Sequence, residues 1–411
     1  MDGHCRGRAV AGARAVLTPF LDSVYWGPMA PASSPTLPDL ASYRAEFPVF
    51  QHSTYLNTCS LGALSRRSRA LVDTFLDEWT TRGASAWYDV WWQRLGALRA
   101  GYARVIGAQP GEIALHASVS TATAVLGGVL DFARRPRVVT TALDFPTVVH
   151  QWLARRPHGV EVVVVESPDG INVPPERIAR AVDDHTALVA TSHVYFTTGA
   201  IQDIGAVARA AHAHGALCFI DAYQSAGQIP VDVRASGVDF LSGGGLKWLL
   251  GGPGIAFLYA RQELVPGLEP TVTGWFAHGR QFDFDPRSLE WHADARRLEQ
   301  GTPALAAVHA QLGGLEVIEE IGISRIREVT AALTEDLIAA ARERGFRPRV
   351  AAAPADRSAI VMLPSADPRA DVARLARRGV IADARPGYVR LSPFFYNTAE
   401  DHVLALDALR P

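Results

Sequence analysis

Lysine is almost absent from this sequence: of 40 basic residues in 411, 39 are arginine, and Lys247 is the sole lysine. Guanidinium can replace ammonium on most solvated surfaces, but it stays charged and supplies no deprotonatable amine. A single retained lysine is therefore a candidate for amine chemistry, Schiff-base formation above all. The plainer alternative is a leftover surface charge. Cysteine is scarce as well: Cys5, Cys59 and Cys218 form an odd set without CxxC spacing. That argues against a disulfide framework or a zinc site and suits a reducing, cytoplasmic setting, with no metal expected. No apolar run is long enough for a membrane span or a secretory core, the first 35 residues included. Those residues, rich in Ala, Gly, Arg and Pro, read as a loose N-terminal extension, and Met29 stands as an alternative start. A net charge of −2 gives no basic excess for nucleic acid or an anionic membrane surface, which leaves small molecules as ligands.

What is present is an alternation of short apolar runs and helical patterns, the signature of an α/β fold with a mostly parallel sheet. Residues 138–141, 160–165, 187–195, 216–220, 238–241 and 255–259 read as strands; 122–133, 175–183 and 203–214 read as helices. From about residue 303 the pattern changes to long amphipathic stretches at 304–321 and 324–344, the second stopped by Gly345. Strands at 360–363 and 388–391 and a last helix at 399–409 follow, an α+β pattern. The expected division is the extension 1–35, an N-terminal segment 36–60 packing near the small domain, a large ligand-binding domain 61–302, and a smaller C-terminal domain 303–411.

The stretch FIDAYQSAGQIPVDVRASGVDFLSGGGLKWLLGGPG at 219–254 places Asp221 just past one strand and Lys247 just past the next. Ligands of open α/β sheets sit at the carboxyl ends of strands, so both side chains should face one crevice. An amine beside an acid is what pyridoxal 5′-phosphate (PLP) chemistry needs: the amine holds the cofactor as an aldimine, and the acid keeps the pyridine nitrogen protonated. The glycines flanking Lys247 would let the backbone approach a flat ligand closely. Ser118, Ser120 and Thr121 stand before the helix expected from residue 122; Ser120 and Thr121 are candidate phosphate ligands, although Ser and Thr at such positions are commonly caps.

These residues sit inside a wider pattern: YLNTCSLG at 55–62, SVSTAT at 118–123, DFPT at 144–147, DAYQSAG at 221–227, SGGGLKW at 242–248, EQGTP at 299–303 and VRLSPFFYNTAED at 389–401. In this order they resemble the class V aminotransferase group of PLP fold-type I enzymes, which includes kynureninases, cysteine desulfurases and isopenicillin-N-epimerase-like proteins. The resemblance runs over residues 36–410. It implies a seven-stranded-type, mostly parallel sheet in the large domain, with Lys247 as the aldimine lysine and Asp221 on the pyridine nitrogen. It further implies that Gln224 bonds the ring hydroxyl, that Phe145 stacks on the ring where desulfurases use histidine, and that Arg390 binds the substrate α-carboxylate, a task suited to a planar fork. A homodimer follows, in which Thr302 and Trp275 serve the neighbouring subunit's phosphate or substrate. The loop at 273–284 also offers His278 to the substrate pocket.

Two departures matter. The stretch GVIADARPGYVR at 379–390 lacks the desulfurase cysteine, and Gly245 and Leu246 stand where the group often has serine or histidine before the lysine. The first choice of activity is accordingly a lyase on a cysteine-like or β-substituted amino acid, a C–S lyase type of β-elimination in specialised metabolism. An aminotransferase, oxidative deaminase, epimerase or kynureninase-like hydrolase is the alternative. A nicotinamide enzyme would need a GxGxxG turn that the chain lacks, and a non-catalytic PLP-binding module would need no carboxylate clamp.

Overall fold

The computed structural model describes residues 40–409; the extension expected over 1–35 lies outside the described residues. In chain order the strands are β1 (Thr54–Tyr55), β2 (Ile113–His116), β3 (Arg137–Thr141), β4 (Glu161–Val165), β5 (Thr186–Ser192) and β6 (Leu217–Asp221). They continue with β7 (Phe240–Gly244), β8 (Ala256–Ala260), β9 (Val361–Pro364), β10 (Val380–Ile381), β11 (Asp383–Arg385) and β12 (Tyr388–Leu391). Seven of them form one sheet in the order β2-β8-β7-β6-β5-β3-β4. All its pairings are parallel except those of β8, which runs antiparallel to both β2 and β7. Strands β2, β5, β6, β7 and β8 are buried along nearly their whole length, which is why they read as continuous apolar runs rather than alternating ones.

The carboxyl ends of β2, β3, β5, β6 and β7 therefore share one edge of this sheet. Helix α1 (Arg66–Arg82), helix α2 (Trp92–Ile106), helix α3 (Val119–Gly127) and helix α4 (Pro146–Leu153) all come before β4. The first two escape the apolar-period reading. In α1 only Ser68 is fully buried, so the apolar stripe is weak. Helix α3 also differs from expectation: it begins at Val119, capped by Ser118, and ends at Gly127 instead of running to residue 133. Two consecutive glycines, Gly127 and Gly128, stop it there.

The long helices Leu305–Ile321 and Ile323–Glu343 lead to a three-stranded antiparallel sheet, β11-β12-β9. Residues 54–62 tie this C-terminal region to the large sheet's edge. Strand β1 pairs with β10, Ser392 N donates to the Leu56 carbonyl (2.8 Å), and Gly62 N donates to the Leu246 carbonyl (2.8 Å). A Cβ at Gly62 would overlap the Lys247 carbonyl, so only glycine lets this segment lie against the turn that carries the lysine.

Candidate active site

Asp221 is the last residue of β6, and Lys247 follows the end of β7, the neighbouring strand, by three residues. Both side chains line one cavity of about 420 Å³. Lys247 is 8% and Asp221 6% exposed, and burial governs both groups. It lowers the Lys247 amine to about 8, against an opposing pull from Asp221. It raises the Asp221 carboxyl to about 6, although the Tyr223 N–H (2.8 Å) and Lys247 favour the charged form. Near neutral pH more of this lysine is thus in the free-amine form than of an exposed one. The ammonium lies over the Tyr223 ring, 4.5 Å from its centroid.

Phe145 caps the start of α4, meets Phe196 edge-on at 5.1 Å, and lines the cavity with it. A second, much smaller cavity of about 10 Å³ is lined by Phe145, Val194, Asp221 and Lys247. The first turn of α3 lines the larger cavity through Val119 and Ser120. The amides of Val119 and Ser120 have no carbonyl in their own helix to pair with. Beside them the Ser120 and Thr147 hydroxyls lie 3.2 Å apart, both on the cavity wall. Thr121, expected to share the phosphate, stands one residue further along α3. Its hydroxyl serves the cap, donating to the Ser118 carbonyl (2.7 Å) and accepting from the Ser118 N–H (3.1 Å), and it does not line the cavity.

Gln224 lines the cavity while its amide donates to the Cys59 carbonyl (3.0 Å) and accepts from the Trp248 indole (2.9 Å). A Cβ at Gly245 or Gly251 would collide with Gln311 of the helix Leu305–Ile321, so these two of the glycines around Lys247 permit helix packing. Gln311 in turn donates to the Leu249 carbonyl (2.9 Å), which fixes the lysine turn from behind.

Arg390 on β12 reaches the cavity from the small sheet and is 1% exposed. It donates to the Phe196 carbonyl (2.9 Å), the Ser60 hydroxyl (2.7 Å) and the Asp383 carboxylate (2.6 Å). Its Nε is buried without a partner among the described residues. Arg385 lines the same cavity.

Three expected residues stay apart from these. Trp275 and Thr302 line a separate aromatic cleft with Trp87, Tyr88, Trp92 and Phe282. His278 does not line the Lys247 cavity; its Nδ1 lies 2.9 Å from the Glu290 backbone, which holds the ring in its own loop. Conversely Cys59, Ser60, Thr147, Phe196 and Arg385 line the cavity without having been singled out. All but Phe196 lie inside segments already quoted for other reasons, YLNTCSLG, DFPT and GVIADARPGYVR, so their motifs were visible but their direction was not.

The family model for class-V aminotransferases matches residues 73–401. The chain belongs to this family. It is 36% identical over 367 residues to the uncharacterised aminotransferase YcbU of Bacillus subtilis, across 89% of this chain and 96% of that protein. It is 30% identical over 394 residues to a kynureninase of Geobacillus thermodenitrificans, across 89% of each. Among solved structures, an apo cysteine desulfurase from Thermococcus onnurineus superposes with a TM-score of 0.82 at 22% identity, covering 91% of this chain and 98% of the other. The cystine C–S lyase C-DES, in complex with cysteine persulfide, gives 0.82 at 20% identity, covering 88% and 98%. These two likenesses establish the fold-type I architecture.

This class-V aminotransferase is a PLP-dependent enzyme. Its own residues fit the cofactor: a buried amine, a buried carboxyl with spare lone pairs, aromatic side chains on the cavity wall, and a helix N-terminus beside two hydroxyls. No helix among the described residues is long and apolar enough to cross a membrane.

Proposed function

We propose that the enzyme is a lyase acting on a cysteine-like or otherwise β-substituted amino acid, cleaving a C–S bond by β-elimination. The observation that carries this reading is the desolvated Lys247 amine, held beside Asp221 in a cavity that also presents the buried Arg390 guanidinium. PLP supplies the electron sink that makes the substrate Cα–H acidic. Lys247 would hold the cofactor and would supply Nζ as the base for the substrate Cα proton. Asp221 would keep the pyridine nitrogen protonated; Ser120, Thr147 and the first-turn amides of α3 would hold the phosphate. Phe145 would pack against the ring, and Gln224 would donate to the ring hydroxyl. Arg390 binds the α-carboxylate and thereby sets which bond at Cα faces Lys247. The proton on Lys247 is then in position to pass to the leaving sulfur. The net reaction is thioether plus water to thiol, keto acid and ammonia.

The desulfurase route is disfavoured because residues 379–390 carry no cysteine. Cys59, within the segment 54–62, lines the cavity and is fully buried. Incubation with S-alkyl cysteines tests the proposal. Stoichiometric thiol and pyruvate, unchanged in Cys59→Ser, are expected; absence of both products rejects it. The kynureninase-like reading is favoured by the 30% identity to kynureninases and by Phe145, and anthranilate release from kynurenine would select it.

The aromatic cleft supports a homodimer. Tyr88 (73% exposed), Phe284 (70%) and Phe282 (51%) form an apolar face beside Trp275 and Thr302, and a face of this kind calls for a cover. Light scattering of the purified enzyme should return twice the chain mass. A monomer that is active would remove Thr302 and Trp275 from the site.

A further inference from the structure

The charged side chains lining the cavity are one acid, Asp221, and three bases, Lys247, Arg385 and Arg390. Asp221 belongs to the floor, beside Lys247. Toward the small sheet the cavity is therefore walled by two guanidiniums with no carboxylate on the lining between them. Asp383 stands behind that wall and joins them. Its Oδ2 accepts from Arg390 Nη2 (2.6 Å) and Ser60 Oγ (2.6 Å), and its Oδ1 accepts from Arg385 Nη1 (2.7 Å). Strand register explains the arrangement. Asp383 is directly opposite Arg390 in the β11–β12 pair, and Arg385, two residues on, is opposite Tyr388. Residues two apart on a strand share a face, so Asp383, Arg385 and Arg390 all project from one side of the sheet. Arg385 and Arg390 are diagonal neighbours, with Cβ atoms roughly 7–8 Å apart.

Neither guanidinium is saturated. Arg385 uses only Nη1, toward Asp383 and the Ala384 carbonyl (2.9 Å), leaving Nε and Nη2 without a protein partner among the described residues. Arg390 Nε is buried and unpartnered, and a buried donor left without an acceptor is unfavourable. Arg385 thus keeps unengaged donors on a cavity that Arg390 also lines, and two guanidiniums on one wall are more than a single α-carboxylate requires. We propose that Arg385 reads a second acidic group, so that the enzyme's substrate is an amino acid carrying a second carboxylate, with Asp383 as the positioning residue that sets the separation of Arg385 from Arg390. This rests on the reading of Arg390 as the α-carboxylate partner.

The test uses PLP-loaded enzyme and two unreactive probes, glutarate and butyrate, titrated calorimetrically. A charge-assisted hydrogen bond to the second carboxylate should make glutarate bind about 10- to 100-fold tighter than butyrate. Arg385→Gln should abolish that preference and leave butyrate binding unchanged, while Arg385→Lys, which keeps charge and bulk, should restore part of it. Equal binding of the two probes by the wild type, or an equal loss for both in Arg385→Gln, overturns the proposal. Arg390→Gln should weaken both probes alike. If it weakens neither, the underlying assignment of Arg390 fails, an outcome distinct from the failure of Arg385.

Discussion

Two buried carboxyl groups stand at the same edge of the same sheet, and the protein treats them in opposite ways. Asp144, after β3, accepts five hydrogen bonds: from the Thr140 and Thr191 hydroxyls, from both the N–H and the hydroxyl of Thr141, and from the Ser192 N–H, at 2.6–3.0 Å. Asp221, at the end of β6, accepts one hydrogen bond among the described residues, from the Tyr223 N–H (2.8 Å). Burial alone would raise both, and it does. The difference lies in what remains to bind. Asp144 is saturated and cross-links β3 to β5, whereas Asp221 keeps lone pairs facing a cavity. Burial marks both residues, but only unspent hydrogen-bonding capacity distinguishes a site from a strut.

The contrast can be broken most sharply at Lys247, the partner that Asp221 has and Asp144 lacks. Lys247→Ala should lower turnover by about 10⁴-fold and abolish the mass increment that borohydride fixes on the PLP-loaded protein. Retention of that increment would place the cofactor elsewhere. The two carboxyls themselves come next. Asp221→Asn should cost about 10²–10³-fold in kcat with little change in the denaturation midpoint. Asp144→Asn, which turns an amide donor against several donors, should cost roughly 2–4 kcal/mol of stability. If Asp221→Asn were the one to unfold the protein, the comparison would be reversed.

A pH series on the cofactor-free protein sharpens the same point. With the Asp221 pKa raised from 3.8 to about 6, the folded state holds its proton longer than the unfolded chain does, so stability falls as pH rises through that interval. With the Lys247 pKa lowered from 10.5 to about 8, the folded state releases its proton earlier, and stability recovers as pH rises from 8 toward 10.5. The apoprotein should thus be least stable between pH 6 and 8, each group contributing at most of order 3 kcal/mol. The double variant Asp221→Asn, Lys247→Met should flatten the trough in chemical denaturation. The smallest effect separates neighbours in α3. Thr121→Ala should cost about 1 kcal/mol of stability as a lost cap and leave PLP affinity alone, while Ser120→Ala should weaken PLP affinity and leave stability alone.

Much of this was legible before any coordinates. Six of the seven strands of the large sheet follow from apolar runs, with expected ends within three residues of the structural ones, whereas β2 went unread. Lys247 and Asp221 were visible because a residue type missing everywhere else, and an acid at a strand end, are local facts. Thr121 shows how a local pattern leaves two roles open: a Ser-x-x-Thr start to a helix is chemically suited both to a phosphate and to a cap, and in the structure the hydroxyl bonds the Ser118 backbone. His278 was read toward the substrate because its loop carries aromatic and basic residues, yet the loop closes on itself through the Glu290 backbone. Helix α1 went unread because most of its residues stay partly or fully exposed.

By itself the sequence determined the amine, its acid, the strand periodicity and the family's motifs, since each is carried by residue identity over a few neighbouring positions. Only the tertiary structure decided which distant groups meet: Arg390 lies 330 positions from Ser60 and 194 from Phe196, yet it bonds to both. Such meetings follow from strand order and from the stitching of residues 54–62 between the two sheets. They depend on the packing of whole elements against one another, which no local pattern encodes.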